Sequence, residues 1–241
     1  MERSFIVIEG ADGMGKSTLA GGLAKWFAEH GTPVCLTAEP SEGPIGLALR
    51  YMLGQPELPS GRTFALLFAA DRSHHIEQVV KPALDRGETV ICDRYDLSTM
   101  VYQIAQGMTG FAHEPPFQPK ESSPHSPTFP FQSSFTWDRC VKWLRELHVA
   151  MLRPDVTLVL RGISPEVAMR RVAARKGAEA TFEKLDFQRS VHALYERAGE
   201  LIPAYEVCYL NIGENDSPAD VVRAAAPAIE LTLAHRRHVK S

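Results

Sequence analysis

The sequence predicts an α/β fold in which a five-stranded parallel sheet is flanked by helices. Two observations lead to this prediction. Five short apolar runs alternate with segments of helical periodicity, which is typical of right-handed crossovers between parallel strands. A glycine-rich turn follows the first strand, at the sheet edge where ligands of such folds collect. The 241 residues can bury a sizeable core, and we expect one domain over residues 1–241.

The predicted strands comprise residues 5–9, 33–37, 89–92, 156–160 and 207–212. Helices are predicted over residues 16–30, 45–53, 64–86, 96–106, 137–151, 185–206 and 216–233, with one more beginning at Pro165. Ser164 can cap that helix. Pro82 is expected to kink or break the long helix, because proline lacks a backbone donor. Residues 107–134, rich in Pro, Ser, Phe and His, have no period and are predicted to form an irregular surface insertion.

The glycine-rich turn predicts a phosphate-binding loop. Residues 10–18 read G-A-D-G-M-G-K-S-T, which matches the pattern G-x-x-x-x-G-K-S. The glycines let successive backbone N–H groups converge on phosphate oxygens, and the helix that follows adds its positive N-terminus. In this pattern Lys16 reaches the β- and γ-phosphates and Ser17 binds Mg²⁺. A tight turn without a ligand is the less favoured interpretation.

Composition narrows the class of partner. The net charge of −3 favours neither nucleic acid nor a membrane as partner. No segment approaches the roughly 18 apolar residues of a membrane span, and no signal peptide is expected, since a charged start runs directly into the first strand. The four cysteines form no C-x-x-C pair and suit a reducing compartment. We therefore expect a cytoplasmic protein.

A second phosphate site would separate one nucleotide reaction from another. Arg50, Arg72 and Arg94 each lie just beyond an apolar segment, and Arg94 follows the third predicted strand on the same edge as the loop. Guanidinium groups match phosphate oxygens better than ammonium groups do. Any one of these arginines alone is more often a solvated surface residue, so their neighbours decide their meaning.

With those neighbours included, the sequence resembles the thymidylate kinase family. The matching blocks are residues 5–18, Glu39-Pro40, residues 66–72, residues 81–84, and residues 93–99 with Tyr102-Gln103. They follow the family's order and spacing from residue 5 to about 106, and the resemblance continues more weakly from 137 to about 212. It implies a P-loop kinase fold with a lid, transfer of the γ-phosphoryl group of ATP, with Mg²⁺, to dTMP, and a homodimer.

The resemblance also implies roles for individual residues. Asp12 would hold the 3′-hydroxyl of the acceptor sugar, and Asp93 would lie near Mg²⁺ together with Ser17. The residues implied to bind the acceptor are Asp12, Glu39, Arg50, Phe68, Arg72, Arg94, Ser98, Tyr102 and Gln103. Within that set, Arg50 and Arg94 would hold the phosphate, and Phe68 would stack on the base. The residues implied to bind ATP are Gly10, Gly13, Gly15, Lys16, Ser17, Thr18 and Arg171.

The chain departs from the family pattern where catalytic arginines are expected. Gly13 leaves the loop without an arginine, and such family members carry their catalytic arginines on the lid, here about residues 170–184. The usual Asp-Arg of the lid is replaced by Ala180-Thr181. The remaining candidates are Arg171, Arg175 and Lys176, with Arg170 behind them. The predicted catalytic set is Lys16, Asp93, Arg94 and Arg175.

Two alternatives to dTMP phosphorylation stay open. The first is a kinase for another nucleoside monophosphate, such as a modified pyrimidine deoxynucleotide. The second is a catalytically silent nucleotide-binding protein on the same scaffold. A GTPase or motor ATPase is disfavoured, because no D-x-x-G switch motif follows a later strand.

Overall fold

The sheet has the predicted number and direction of strands. A computed structural model describes residues 3–107, 134–176, 185–203 and 207–240. The strands are β1 (Phe5–Glu9), β2 (Val34–Ala38), β3 (Thr89–Asp93), β4 (Val156–Arg161) and β5 (Val207–Asn211). They lie in the order β2-β3-β1-β4-β5, and every neighbouring pair is parallel. The fold class expected from the sequence is confirmed.

Helices connect the strands on both faces of the sheet. They are α1 (Lys16–Glu29), α2 (Pro44–Leu53), α3 (Gly61–His75), α4 (Lys81–Asp85), α5 (Asp96–Ala105), α6 (Ser134–His148), α7 (Pro165–Lys176), α8 (Leu185–Glu196), α9 (Ala198–Leu201) and α10 (Pro218–Lys240). As expected, Ser164 caps α7, since its hydroxyl accepts a hydrogen bond from the N–H of Val167 at 3.3 Å. Among the described residues, none of these helices is long and apolar enough to cross a bilayer.

The central strand β1 holds the two halves of the core together. Its side chains alternate between the faces of the sheet: Ile6 and Ile8 belong to the larger apolar cluster, with residues of α1, α5, α8 and α10. Phe5 and Val7 belong to the smaller cluster, with Ile76 and residues of β3. A strand that is apolar on both faces is typical of the middle of a covered parallel sheet.

Strand register brings the chemistry-bearing turns to one edge. Ile8 pairs with Asp93 of β3 on one side and with Leu158 of β4 on the other. The turn after β1 and the turn after β3 therefore emerge side by side at the carboxyl edge. This register places the glycine-rich loop next to Asp93 and Arg94.

Two helix boundaries differ from the prediction. The helix containing Pro82 is not broken: a π-helical turn, Ile76–Val80, joins α3 to α4, and Pro82 is the second residue of α4. Proline is tolerated there because the widened turn has already altered the backbone hydrogen-bonding pattern. The helix predicted over residues 185–206 divides instead into α8 and α9. Most of the predicted insertion and residues 177–184 of the predicted lid lie outside the described residues.

Candidate active site

The glycine-rich loop folds as the sequence pattern requires. Gly13 and Gly15 have positive φ values of 80° and 88°, in the left-handed region that glycine adopts without strain. A Cβ atom at Gly13 would lie 2.2 Å from the carbonyl oxygen of Ala168 in α7. The loop thus packs directly on the backbone of α7, and no side chain of any kind fits at position 13.

Lys16 begins α1 and is held inside the loop. Its side chain is buried, and its Nζ donates a hydrogen bond to the carbonyl oxygen of Ala11 at 2.8 Å. Burial and the neighbouring Arg94 guanidinium lower the pKa of Lys16 to about 8, while the carboxylates of Asp12 and Asp93 oppose that shift. The charge of this ammonium group is therefore sensitive to pH just above neutrality.

Ser17 and Asp93 form a small oxygen-rich group beside the loop. The hydroxyl of Ser17 donates to Oδ2 of Asp93 at 2.5 Å. The other carboxylate oxygen, Oδ1, is buried and has no hydrogen-bond partner. A hydroxyl and a carboxylate with an unsatisfied oxygen suit Mg²⁺, which commonly takes few protein ligands and completes its shell with water and phosphate. Within the described part of the chain, no group of three His, Cys, Asp or Glu side chains could hold a metal ion.

The larger cavity lies beside the loop and has a volume of about 670 Å³. Its walls come from the ends of β2 and β3 and from α3, α5 and α8. The predicted substrate residues that line it are Asp12, Glu39, Phe68, Arg72, Arg94, Ser98, Tyr102 and Gln103. Aromatic side chains and a few polar groups around a cavity of this size suit a nucleotide-sized ligand.

Arg94 lines this cavity from a strained backbone position. Among the described residues it is the only non-glycine residue with a positive φ, 75°, and such a conformation persists only when surrounding contacts enforce it. Its backbone N–H donates to the carbonyl of Ile8 at 3.0 Å. Its guanidinium pairs with Asp12, donates to the hydroxyl of Ser98 at 3.0 Å and lies over the ring of Tyr102. This strained residue therefore links the loop to α5.

Arg72 lies in the wall of the same cavity and is almost completely buried. Its Nη2 donates to the Glu39 carboxylate at 2.6 Å and to the Thr99 hydroxyl at 3.0 Å. Burial lowers the pKa of Arg72, but the combined effect of Glu39, Asp96 and Tyr95 raises it above its usual value. The guanidinium group is therefore permanently charged, and it can donate hydrogen bonds to its surroundings but cannot accept them.

Glu9 supports residues of the site through hydrogen bonds, and sequence reasoning assigned it no role. It ends β1, is completely buried, and accepts hydrogen bonds from the backbone N–H groups of Tyr95 and Ser98 and from the hydroxyls of Ser98 and Tyr195. Burial raises the pKa of the Glu9 carboxyl group, although the hydrogen bonds from Ser98 and Tyr95 and the charge of Arg94 oppose the shift. The only signal available from the sequence was a charged residue at the end of an apolar strand.

A second cavity, of about 400 Å³, lies on the other side of the loop. Gly13, Gly15 and Thr18 line it together with Arg171. Arg171 donates from its guanidinium to the carbonyl of Glu214 at 2.6 Å, which anchors its side chain at the cavity. Two cavities therefore share one phosphate-binding loop, so two ligands can meet at it.

One predicted residue lies outside the larger cavity, and the side chain of another is not described. Arg50 in α2 does not line the larger cavity; it donates to the backbone carbonyls of Pro40 and Ser41 and pairs with Glu42 at 2.9 Å. The side chain of Arg175 lies outside the described residues. Sequence reasoning also missed cavity and support residues whose positions depend on tertiary packing: Glu9, Thr99, His148, Phe187, Gln188 and Tyr195.

The fold, the loop and the paired cavities define the class of a phosphate-loop nucleotide kinase. A sequence model of the family described as thymidylate kinase matches residues 8–125 and 133–215. A probable thymidylate kinase of Pyrococcus abyssi is 31% identical over 92% of this chain and 95% of its own length. A thymidylate kinase of Caldicellulosiruptor saccharolyticus is 31% identical over 98% and 100%, and one of Neisseria meningitidis is 34% identical over 88% and 91%. The chain belongs to the thymidylate kinase family, and with it to the nucleoside monophosphate kinases.

Proposed function

We propose that this chain transfers the γ-phosphoryl group of ATP to dTMP, which yields dTDP and ADP. Family membership supports this function, and the arrangement of two cavities around one loop carries it: a donor and an acceptor nucleotide can be aligned there. Phosphoryl transfer needs alignment and neutralisation of charge more than covalent chemistry. In this chain the two cavities would provide the alignment, and the basic side chains around the loop would neutralise the charge.

In this proposal the donor is held by the loop and by Arg171. The backbone N–H groups of Gly10, Gly13 and Gly15 and the Nζ of Lys16 would bind its phosphates, together with Ser17 and Thr18. Lys16 is already charged below its pKa of about 8. Residues Ser17 and Asp93 would hold Mg²⁺, as the unpartnered oxygen of Asp93 suggests. When bound, that ion supplies positive charge at the donor phosphates.

The acceptor would occupy the larger cavity. Arg94 would hold its phosphate, Asp12 its sugar hydroxyl, and Phe68 would stack on the thymine ring. Arg72 would donate to the base, with Ser98, Tyr102 and Gln103 closing the pocket and Glu39 holding Arg72 in place. Arg50 stays a proposed phosphate contact, which would require it to leave its present carbonyl partners.

We further propose that Arg175 on the lid neutralises charge that develops during transfer. Arg175→Ala should lower kcat by on the order of 10³, as for other arginine fingers. Arg170→Ala is a matched control one and a half turns earlier, since Arg170 is exposed and pairs with Glu214 at 3.2 Å. A loss below about tenfold in Arg175→Ala would remove this residue from the mechanism.

Three further proposals concern the setting. We propose that residues 1–241 form one catalytic domain and that it works as a homodimer, for which the exposed apolar side chains Leu47 and Tyr51 on α2 offer a surface. Sedimentation of the purified chain at micromolar concentration tests the dimer. We propose a cytoplasmic location, supported by free thiols at Cys35, Cys92, Cys140 and Cys208.

A coupled assay of ADP release against a panel of deoxy- and ribonucleoside monophosphates tests the function. We expect dTMP to give the highest kcat/KM with ATP and Mg²⁺. Faster turnover of another monophosphate would assign a different acceptor to the same site. Binding of ATP and dTMP without ADP release from any acceptor would show a silent scaffold and overturn the proposal.

A further inference from the structure

His148 is a buried histidine at the end of α6, and the proposed reaction assigns it no role. It is 2% exposed, and its two ring nitrogens have different partners. Nδ1 lies 2.6 Å from the carbonyl oxygen of Leu144, and Nε2 lies 2.7 Å from Nη1 of Arg72. Among the described contacts, His148 is thus the only side chain of α6 that hydrogen-bonds Arg72 in the cavity wall.

These partners determine the protonation state of the ring. A carbonyl oxygen can only accept, so Nδ1 must carry a hydrogen, and a guanidinium can only donate, so Nε2 must be a free acceptor. His148 is therefore neutral. Burial, and next the positive charge of Arg72, lower the pKa of His148 to about 4, which agrees with a neutral ring.

The contact fixes the orientation of Arg72. Its Nη2 is held by Glu39 and Thr99, and the guanidinium lies 4.8 Å from the centre of the Tyr95 ring. These contacts hold the guanidinium at its Nη2 corner and on its face. The hydrogen bond from Nη1 to His148 holds a second corner and so restrains the plane of the group further. The Nε of Arg72 is then left buried without a protein partner, and one N–H of Nη1 is uncommitted.

We infer that His148 is a positioning residue that sets the choice of base through Arg72. The inference rests on the proposed function, in which Arg72 contacts the base. The uncommitted N–H of the guanidinium can donate to a keto oxygen, such as one of thymine, but it cannot hydrogen-bond favourably with the amino group of cytosine, which is itself a donor. A site built on such hydrogen bonds rejects the wrong partner strongly, because its buried groups are left unpaired. Discrimination then depends on the guanidinium staying in place.

Two amide substitutions separate this role from a purely structural one. The amide oxygen of His148→Gln can occupy the place of Nε2 and accept from Arg72, whereas His148→Asn carries the same group one methylene too short. We expect His148→Gln to keep the KM for dTMP within about twofold. We expect His148→Asn to raise that KM about tenfold, with kcat and the KM for ATP changed less than twofold, and to weaken discrimination against dCMP as a competitor.

The outcomes are distinct. If His148→Asn does not fold, His148→Met supplies the comparison, since it fills the space without accepting a hydrogen bond and should raise the KM for dTMP in the same way. Equal KM values for dTMP in the Gln variant and in the folded Asn or Met variant would overturn the inference while leaving the proposed function intact. Absence of dTMP turnover in the unsubstituted chain would overturn both.

Discussion

We expect the charge of Lys16 to control the affinity of the loop for a triphosphate. Its pKa of about 8 means that the ammonium is charged below this pH and neutral above it. We expect the affinity for ATP to fall by up to about tenfold for each pH unit above 8, because the charge is lost where the phosphates bind. Titration calorimetry between pH 7 and pH 9.5 measures this dependence.

Lys16→Arg is the matched control for that titration. The guanidinium group keeps its charge over the whole pH range, so its affinity for ATP should vary little with pH, whatever its absolute value. A pH profile for the unsubstituted chain as flat as that of the arginine variant would show that Lys16 is not the titrating group.

Gly13 and Gly15 allow backbone strain and side-chain clash to be separated. Both have positive φ, but a Cβ at Gly15 would have nothing within 4 Å, whereas one at Gly13 would meet the backbone of α7 at 2.2 Å. We expect Gly15→Ala to lower the free energy of unfolding by about 1–2 kcal/mol, from conformational strain alone. Gly13→Ala should cost on the order of 3 kcal/mol or more, because the helix backbone must shift as well.

Urea denaturation of the two variants measures this difference. Equal losses of stability would mean that α7 is not packed on the loop as described. The same packing explains why the loop supplies no arginine, so a result of that kind would also reopen the question of where the catalytic arginine lies.

Single residues differ in how far the sequence could place them. The conformation of the glycine-rich loop could be predicted because the spacing of its residues along the chain is itself the geometry of the turn. Glu9 and His148 could not be placed, since their partners in α5, α8 and α3 are far away in sequence. Arg50 has the residue type of a phosphate contact, but in the structure its guanidinium donates to the nearby backbone carbonyls of Pro40 and Ser41, so its role in binding stays a prediction.

Glu9 joins three elements, and its removal should loosen all of them. The carboxylate at the end of β1 receives donors from the start of α5 and from Tyr195 in α8. Glu9→Met leaves these donors unsatisfied, and we expect a loss of about 3 kcal/mol in the free energy of unfolding. Glu9→Gln should cost less than about 1 kcal/mol, because its oxygen can accept from the backbone while its amide donates to the hydroxyls.

The pH dependence of unfolding tests whether burial raises the pKa of Glu9 in the folded chain. The pKa of Glu9 is raised above its usual value of 4.5 in the folded chain. Its contribution to stability is therefore largest below that value and is lost as the pH rises through the folded-state pKa. Glu9→Gln cannot ionise and so lacks this pH-dependent contribution. Its stability relative to the unsubstituted chain should therefore improve with rising pH. A difference that does not change with pH would show that Glu9 ionises freely.

Helix boundaries were predicted less well than the helices themselves. Apolar periodicity located the long helix after α2, but it could not indicate that a π-helical turn precedes Pro82. A local pattern reports the presence of a buried face and not the way in which tertiary packing alters one turn. The division of α8 from α9 was missed for the same reason.

The order of the strands explains why the site forms where it does. β1 lies between β3 and β4, so the loop after β1 has Asp93 and Arg94 on one side and the approach to α7 on the other. Sequence alternation predicted a parallel sheet, and thereby a common edge for these turns. It could not predict the two cavities, whose walls come from α3, α5, α8 and α10 after the chain has folded.

Transfer of radiolabel from the γ-phosphate of ATP to dTMP tests the central claim most directly. In a single turnover, the enzyme is in excess over labelled ATP, and dTMP and Mg²⁺ are present. We predict that the label appears in dTDP and that free phosphate stays at background. The same label should stay in ATP when dTMP is left out, because the acceptor supplies the attacking oxygen. Label in inorganic phosphate, or no movement of label in the presence of dTMP, would contradict the account.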